Sequence, residues 1–188
     1  SILYNESFEH KIPDTVFITS RFEITVYAGA RLTPELSQLI LRAKEDNDLL
    51  ARIYLARLIA NVLNQIKVQR GHKIFDLIPI PSRPEISRAR GIKHISELVK
   101  EVNKIHPVQY YEILKHVKKV KDQSTLTNIQ RLENLDGAFA ISDTKSIPIK
   151  GFIVDDLVTS GATIKAAAAA LKERNIELLG VITACATS

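Results

Sequence analysis

Hydrophobic and polar positions recur with two different periods along this chain, and each change of period outlines an element. Val16 and Ile18, then Phe22, Ile24 and Val26, alternate with Arg21, Glu23 and Thr25, a period of two that predicts a half-buried hairpin turning near Thr19-Ser20. The period then lengthens. Thr33-Pro34-Glu35 puts a hydroxyl, a proline and an acid where a helix start uses them, and Leu36, Leu39 and Ile40 share a face. After the turn Glu45-Asp46-Asn47-Asp48 a long helix is expected to about Ile66, with Leu49, Ile53, Ala56, Ala60 and Leu63 as its stripe. Arg42, Lys44, Arg52 and Arg57 fall off that stripe and read as solvated bases.

Further on, strands and helices take turns. Ile74 to Ile80 reads as a buried strand closed by Pro79-Ile80-Pro81, because proline at a strand end terminates its ladder. A helix follows from Gly91 to about Ile105. Pro107 marks the boundary before a second strand, Val108 to Leu114, and the charged stretch from Lys115 to Leu126 reads as a loop. Gly151 to Val154 is the central strand, Ala162 to about Arg174 a helix ended by Asn175, and Leu178 to Cys185 a final buried strand. Such alternation predicts an α/β fold with a parallel sheet and right-handed crossovers. The division expected is an arm, hairpin and helical hood over residues 1–70 and a core over residues 71–188.

Composition adds bounds. The 188 residues are 45% hydrophobic, enough for one ordinary domain with a true core. No apolar run reaches the length of a membrane span, and the alanines from Ala166 to Ala170 belong to an amphipathic helix. A single cysteine, Cys185, excludes an intrachain disulfide and a multi-cysteine zinc site within this sequence, and its apolar surroundings predict a buried thiol. No leader is visible at Ser1, so the cytoplasm is the expected location. The sequence contains no methionine, which implies a native N-terminus that is processed or lies outside it. A net charge of +5 suits phosphate-rich partners without selecting one.

The chemistry concentrates between Lys150 and Thr163. The apolar run Phe152-Ile153-Val154 leads into Asp155-Asp156, then into Thr159-Ser160-Gly161-Ala162-Thr163 at a helix start. Backbone N–H groups and hydroxyls at the positive end of a helix dipole suit a phosphate monoester. Adjacent acids at a strand end suit vicinal hydroxyls or a divalent cation. A second anion-binding stretch is the loop after Pro81, where Arg83, Arg88 and Arg90 fall within eight residues. Ligands of α/β sheets lie outside the carboxyl ends of the strands, so both loops are expected to face one pocket.

Val154 to Thr163 resembles the phosphoribosyl pyrophosphate (PRPP) motif of type I phosphoribosyltransferases. A Walker P-loop fits less well, since no Gly-Lys-Ser/Thr follows Gly161. Ile78-Pro79-Ile80-Pro81, the basic stretch and Arg90-Gly91 are similar to the pyrophosphate side of the ComF branch of that superfamily, as are Gln123, Leu126, Arg131, Asn134 and Gly137-Ala138-Phe139. The usual Arg-Gly-Phe-Asn-Gln reads Arg90-Gly91-Ile92-Lys93-His94 here.

The resemblance implies a type I phosphoribosyltransferase-like fold in which Asp155 and Asp156 hold ribose hydroxyls. Thr159, Ser160, Gly161, Ala162 and Thr163 would bind the 5-phosphate, and Arg83, Arg88 and Arg90 the pyrophosphate. Magnesium would arrive with PRPP, with no metal site of the protein's own predicted. Lys118, Lys119, Lys121 and Gln123 would form a flexible loop over pyrophosphate or a track for a nucleic-acid backbone, although a solvated surface run has the same composition. ComF proteins are associated with natural competence and incoming single-stranded DNA in the cytoplasm, which adds DNA and DNA-processing proteins as partners. They usually carry an N-terminal four-cysteine zinc module, which this sequence lacks. An active transferase of nucleotide salvage or synthesis is the alternative, a PRPP-sensing regulator a weaker third reading, and the acids by themselves leave turnover open.

Overall fold

The computed structural model describes residues 12–13, 15–70, 76–82, 93–117, 138–144 and 146–188. Its central sheet has six strands. They are β1 (Phe17–Arg21), β2 (Ile24–Arg31), β3 (Asp76–Pro79), β4 (Gln109–Tyr110), β7 (Lys150–Val158) and β8 (Glu177–Ala186), in the order β1-β2-β8-β7-β3-β4. Every neighbouring pair is parallel except β1 with β2. A separate antiparallel pair, β5 (Leu114–His116) with β6 (Phe139–Ile141), stands beside it.

Alternation along the inner strands divides the core into two layers. Phe152 and Val154 of β7, Leu77 of β3 and Ile182 of β8 face one side, while Ile153, Ile78 and Val181 face the other. The first side is covered by α2 (Leu49–Arg70) and α3 (His94–Ile105), with α1 (Pro34–Glu45) packed on α2. The second is covered by α4 (Ala162–Glu173) together with the β5–β6 pair. A mixed α/β architecture with a mostly parallel sheet between helices is therefore present. Among the described residues no helix is long and apolar enough to cross a membrane.

Within the stretch expected as arm, hairpin and helical hood, β1 and β2 join the central sheet, and α2 is one of the two helices on its first side. Several expected details change. The hairpin turns at Phe22-Glu23, not at Thr19-Ser20: both residues have positive φ (52° and 64°), and Arg21 pairs with Ile24 across a two-residue loop. That backbone favours Asn-Gly, so nothing in the local sequence announces it; Lys165 Nζ lies 5.1 Å from the Phe22 ring and holds the turn from outside.

The stripe drawn along α2 is too narrow. Leu49 is exposed, whereas Leu55, Leu58, Ile59, Val62, Leu63 and Ile66 are all buried, because α2 is packed by α1, α3, β2 and β8 together. Arg52, expected in solvent, is also buried. The strand expected from Val108 to Leu114 is broken: Tyr111 N–H still donates to Leu77 O at 2.9 Å, then Ile113 N–H turns back to Tyr111 O at 2.9 Å, and Leu114 starts β5 in the other sheet.

Other boundaries agree with the periodicity. Thr33 caps α1 through its hydroxyl, which accepts from Leu36 N–H at 3.3 Å. Asn175 ends α4 with φ 56°, and Ile176 N–H closes on Leu171 O at 3.0 Å.

Gly29 of β2 lets α2 approach the sheet. A Cβ there would lie 2.6 Å from Leu58 Cβ and 2.7 Å from Leu58 O. Overpacking of this kind costs about 1–3 kcal/mol, and each kcal/mol moves Tm by about 2–4 °C in a chain of this size. Gly29→Ala is accordingly expected to lower Tm by several degrees in a thermal melt, and an unchanged Tm would show that the α2 contact yields freely.

Candidate functional site

Ladder register, more than loop shape, places the two acids. β7 is paired on both sides, to β3 as far as Pro79↔Val154 and to β8 as far as Val158↔Ala186. Ile80 N–H still donates to Val154 O at 3.0 Å, and β3 ends at Pro79, so the β3 side of the ladder stops short of the acids. Asp155 and Asp156 thus lie within the strand, which runs on to Val158, and face the gap where β3 has ended.

That gap is a cavity of about 320 Å³, bordered by Ser82, Lys44, His94, Asp155, Asp156, Thr159 and Thr163 among others. Larger hollows of about 550, 860 and 390 Å³ lie elsewhere, the first against the end of α4, the second beside α1 and the third beside the start of α3. None contains two acids adjacent in sequence.

The loop after β7 leads directly into α4. Gly161 takes φ 79° at the N-cap position, a left-handed conformation that glycine adopts without strain, and it offers no side chain to cap the helix. Ser160 is exposed and its Oγ accepts from Ala162 N–H at 3.4 Å. Gly161 thus leaves the first turn of α4, among the described residues, with the one long bond to Ser160 as its side-chain cap.

The acids are not equivalent. Asp156 N–H donates to Asp155 Oδ1 at 2.9 Å, and His94 Nε2 lies 3.0 Å from Asp156 Oδ2 with both side chains buried. Burial pushes the Asp155 carboxyl well above the usual carboxylate range, and the charge of Asp156 pushes the same way. Burial acts on Asp156 too, but the hydrogen bond and charge of His94, with Lys44, outweigh it and hold that carboxyl below its ordinary value. One acid is thereby kept as an acceptor and its neighbour is biased towards the protonated form. Desolvation, with Asp156 nearby, pushes the Cys185 thiol up to about 12, which fits the buried, unreactive cysteine expected from the sequence.

Of the residues singled out beforehand, Asp155, Asp156, Thr159 and Thr163 border one cavity, with Ser160, Gly161 and Ala162 joining the latter two. Arg83, Arg88, Arg90, Lys118, Lys119, Lys121 and Gln123 lie outside the described residues, although Ser82, next to the first of them, borders the cavity. Sequence reasoning missed three residues. His94 stands out in the sequence only as a departure from the Gln of the ComF pattern; Lys44 is exposed, as a solvated base should be, yet also borders the cavity; and Arg21 carries no sequence signal of chemistry. Only the first carried a usable signal, a titratable side chain in place of an amide.

No known protein family matches the chain, and no curated protein matches it. Among solved structures it is similar to adenine phosphoribosyltransferase from Saccharomyces cerevisiae, solved with D-2,5-dideoxy-2,5-imino-altritol 1,6-bisphosphate and adenine. The identity is 14% and the TM-score 0.45, over 96% of this chain and 88% of that one.

The opposite shifts make a pH test. Asp155, with a raised folded pKa, contributes stability that is present at low pH and lost as pH rises from the unfolded value, about 3.9, through the folded one. Asp156 contributes stability that is present above the unfolded value and lost as pH falls through its lowered folded one. Asp155→Asn is therefore expected to gain in Tm over the wild type as pH is raised above about 4, whereas Asp156→Asn should fall behind the wild type as pH is raised towards about 4 from below and keep that deficit at higher pH. Parallel Tm curves for all three proteins would contradict the assignment.

Proposed function

We propose that the cavity at the carboxyl end of β7 binds PRPP, and that the chain is a phosphoribosyltransferase-fold protein of the ComF type that handles single-stranded DNA. The observation that supports the reading most directly is the meeting of Asp155, Asp156, Thr159 and Thr163 at one cavity that also receives the end of β3. Ribose hydroxyls would donate to the Asp156 carboxylate, and Asp155 would stand beside them. The 5-phosphate would rest on the loop from Thr159 to Thr163, where first-turn N–H groups and the helix dipole favour a dianion.

Charge balance supports a phosphorylated ligand as well. Lys44 faces the acids, and the expected pyrophosphate arginines follow Ser82 directly in sequence. Among the described residues no three of His, Cys, Asp and Glu are grouped closely enough to hold a metal ion. The Asp156 carboxylate fits a magnesium ion that comes with the ligand, because magnesium is commonly held by one or two carboxylates plus substrate phosphates. Such an ion would screen the pyrophosphate charge while Asp155 and Asp156 keep the ribose oriented.

The DNA part of the reading rests on the ComF-like text and on the net charge of +5. Binding to a phosphate backbone should weaken steeply with salt. Calorimetric titration of PRPP with magnesium into the wild type and into Asp155→Asn/Asp156→Asn is the test, repeated with a single-stranded oligonucleotide at two salt concentrations. Binding is expected in the wild type and a loss of at least about tenfold, or roughly 1.4 kcal/mol, in the variant. Release of pyrophosphate on adding a nitrogenous base would move the protein to the salvage-type transferases, and absence of PRPP binding to the wild type would remove the proposal.

A further inference from the structure

The hairpin, where the sequence offered no chemistry, reaches the phosphate loop. Sheet twist accumulates from strand to strand, and here it carries the tip of β1–β2 over the start of α4, where Lys165 meets Phe22 and Gly161 meets Arg21. A Cβ on Gly161 would lie 2.6 Å from Arg21 Cβ. The loop backbone is therefore in van der Waals contact with the stem of this arginine.

The guanidinium does more than pack. Arg21 Nε donates to Thr159 O at 2.6 Å, Nη2 to Thr187 O at 2.8 Å and to Thr187 Oγ1 at 3.0 Å, and Nη1 to Ser20 O at 2.8 Å and Thr19 Oγ1 at 3.0 Å. None of these acceptors is a side-chain carboxylate. Arg21 ties the exit of β7 to the exit of β8, and it does so through the carbonyl at the start of the loop.

One consequence is stereochemical. A trans peptide is planar, with its C=O and N–H pointing in opposite directions, and the described residues contain no cis peptide. Holding Thr159 O towards Arg21 therefore turns the Ser160 N–H away from Arg21. Arg21 does not border the cavity, whereas Thr159 and Thr163 do. The Ser160 N–H precedes the left-handed Gly161 at the start of α4, and successive backbone N–H groups around a left-handed residue are of the kind that receives anions.

We propose that Arg21 is a positioning residue of the phosphate loop: it fixes the peptide between Thr159 and Ser160 with the N–H presented to the ligand, and it adds a positive charge behind that peptide. The inference rests on the reading of this loop as a phosphate site. It extends that reading to an element assigned no function, and it makes the affinity depend on the ionisation of the phosphate.

Ribose 5-phosphate and PRPP with magnesium are the probes, titrated into the wild type, Arg21→Met and Arg21→Lys between pH 5 and 8. Arg21→Met is expected to bind both at least about tenfold more weakly and to lose the gain in affinity that the wild type shows as the monoester ionises near pH 6. Arg21→Lys, which keeps the stem over Gly161 and the charge, should retain the pH dependence with intermediate affinity; it carries the comparison if Arg21→Met does not fold. Equal affinity in a folded Arg21→Met protein, or a loss that is the same for monoanion and dianion, overturns the proposal and leaves the PRPP reading intact. Arginine-dependent binding of ribose 5-phosphate without binding of PRPP keeps the proposal and removes that reading, and absence of binding of either probe to the wild type removes both.

Discussion

A strand hydrogen-bonded in parallel on both sides must return its chain over the faces of the sheet, and β7 imposes that constraint on everything around it. Its neighbours β3 and β8 run the same way, so their carboxyl ends open at one edge and the returning helices lie on the two faces. Within that frame the site arises where one neighbour stops early. β3 ends at Pro79 while β7 continues to Val158, and the difference in length creates a wall with acids on it and space in front. Side chains held by a ladder on one side move less than those on a free loop, which suits recognition of closely spaced hydroxyls.

Electrostatics then separates two residues that the sequence presents as a pair. Asp156 gains His94 and Lys44, whereas Asp155 gains chiefly burial and the repulsion of its neighbour. An acceptor beside a group able to donate is a more selective surface than two carboxylates, because it matches a hydroxyl in both of its hydrogen-bonding roles. This selectivity carries a cost in stability, as expected where function and folding place different demands on one residue.

Much of the architecture was legible because it depends on local period. The alternation around Phe152-Ile153-Val154, the Thr33-Pro34 helix start and the Asn175 stop all express short-range physics. What was hidden depends on distant partners. Arg52 and a face of α2 wider than one stripe are buried because four elements pack on that helix, which no single-helix stripe can reveal. β4 and β5 look like one strand until Ile113 folds back on Tyr111. At the site, the acids and the Thr-to-Thr loop could be read directly, while His94 and Arg21 could not: 62 and 138 residues separate them from Asp156 and Thr159.

The solitary thiol has a use that follows from where it lies. Cys185 is fully buried on β8, paired opposite Leu157 just beyond the acids, and its thiol is pushed up to about 12. A thiol-specific reagent needs both access and thiolate, and the folded chain grants neither at neutral pH. Alkylation can proceed only through molecules in which the helical layer over β8 has opened. The rate of modification then counts those openings, so the protein contains its own clock for the lifting of α2 from the sheet that carries the site.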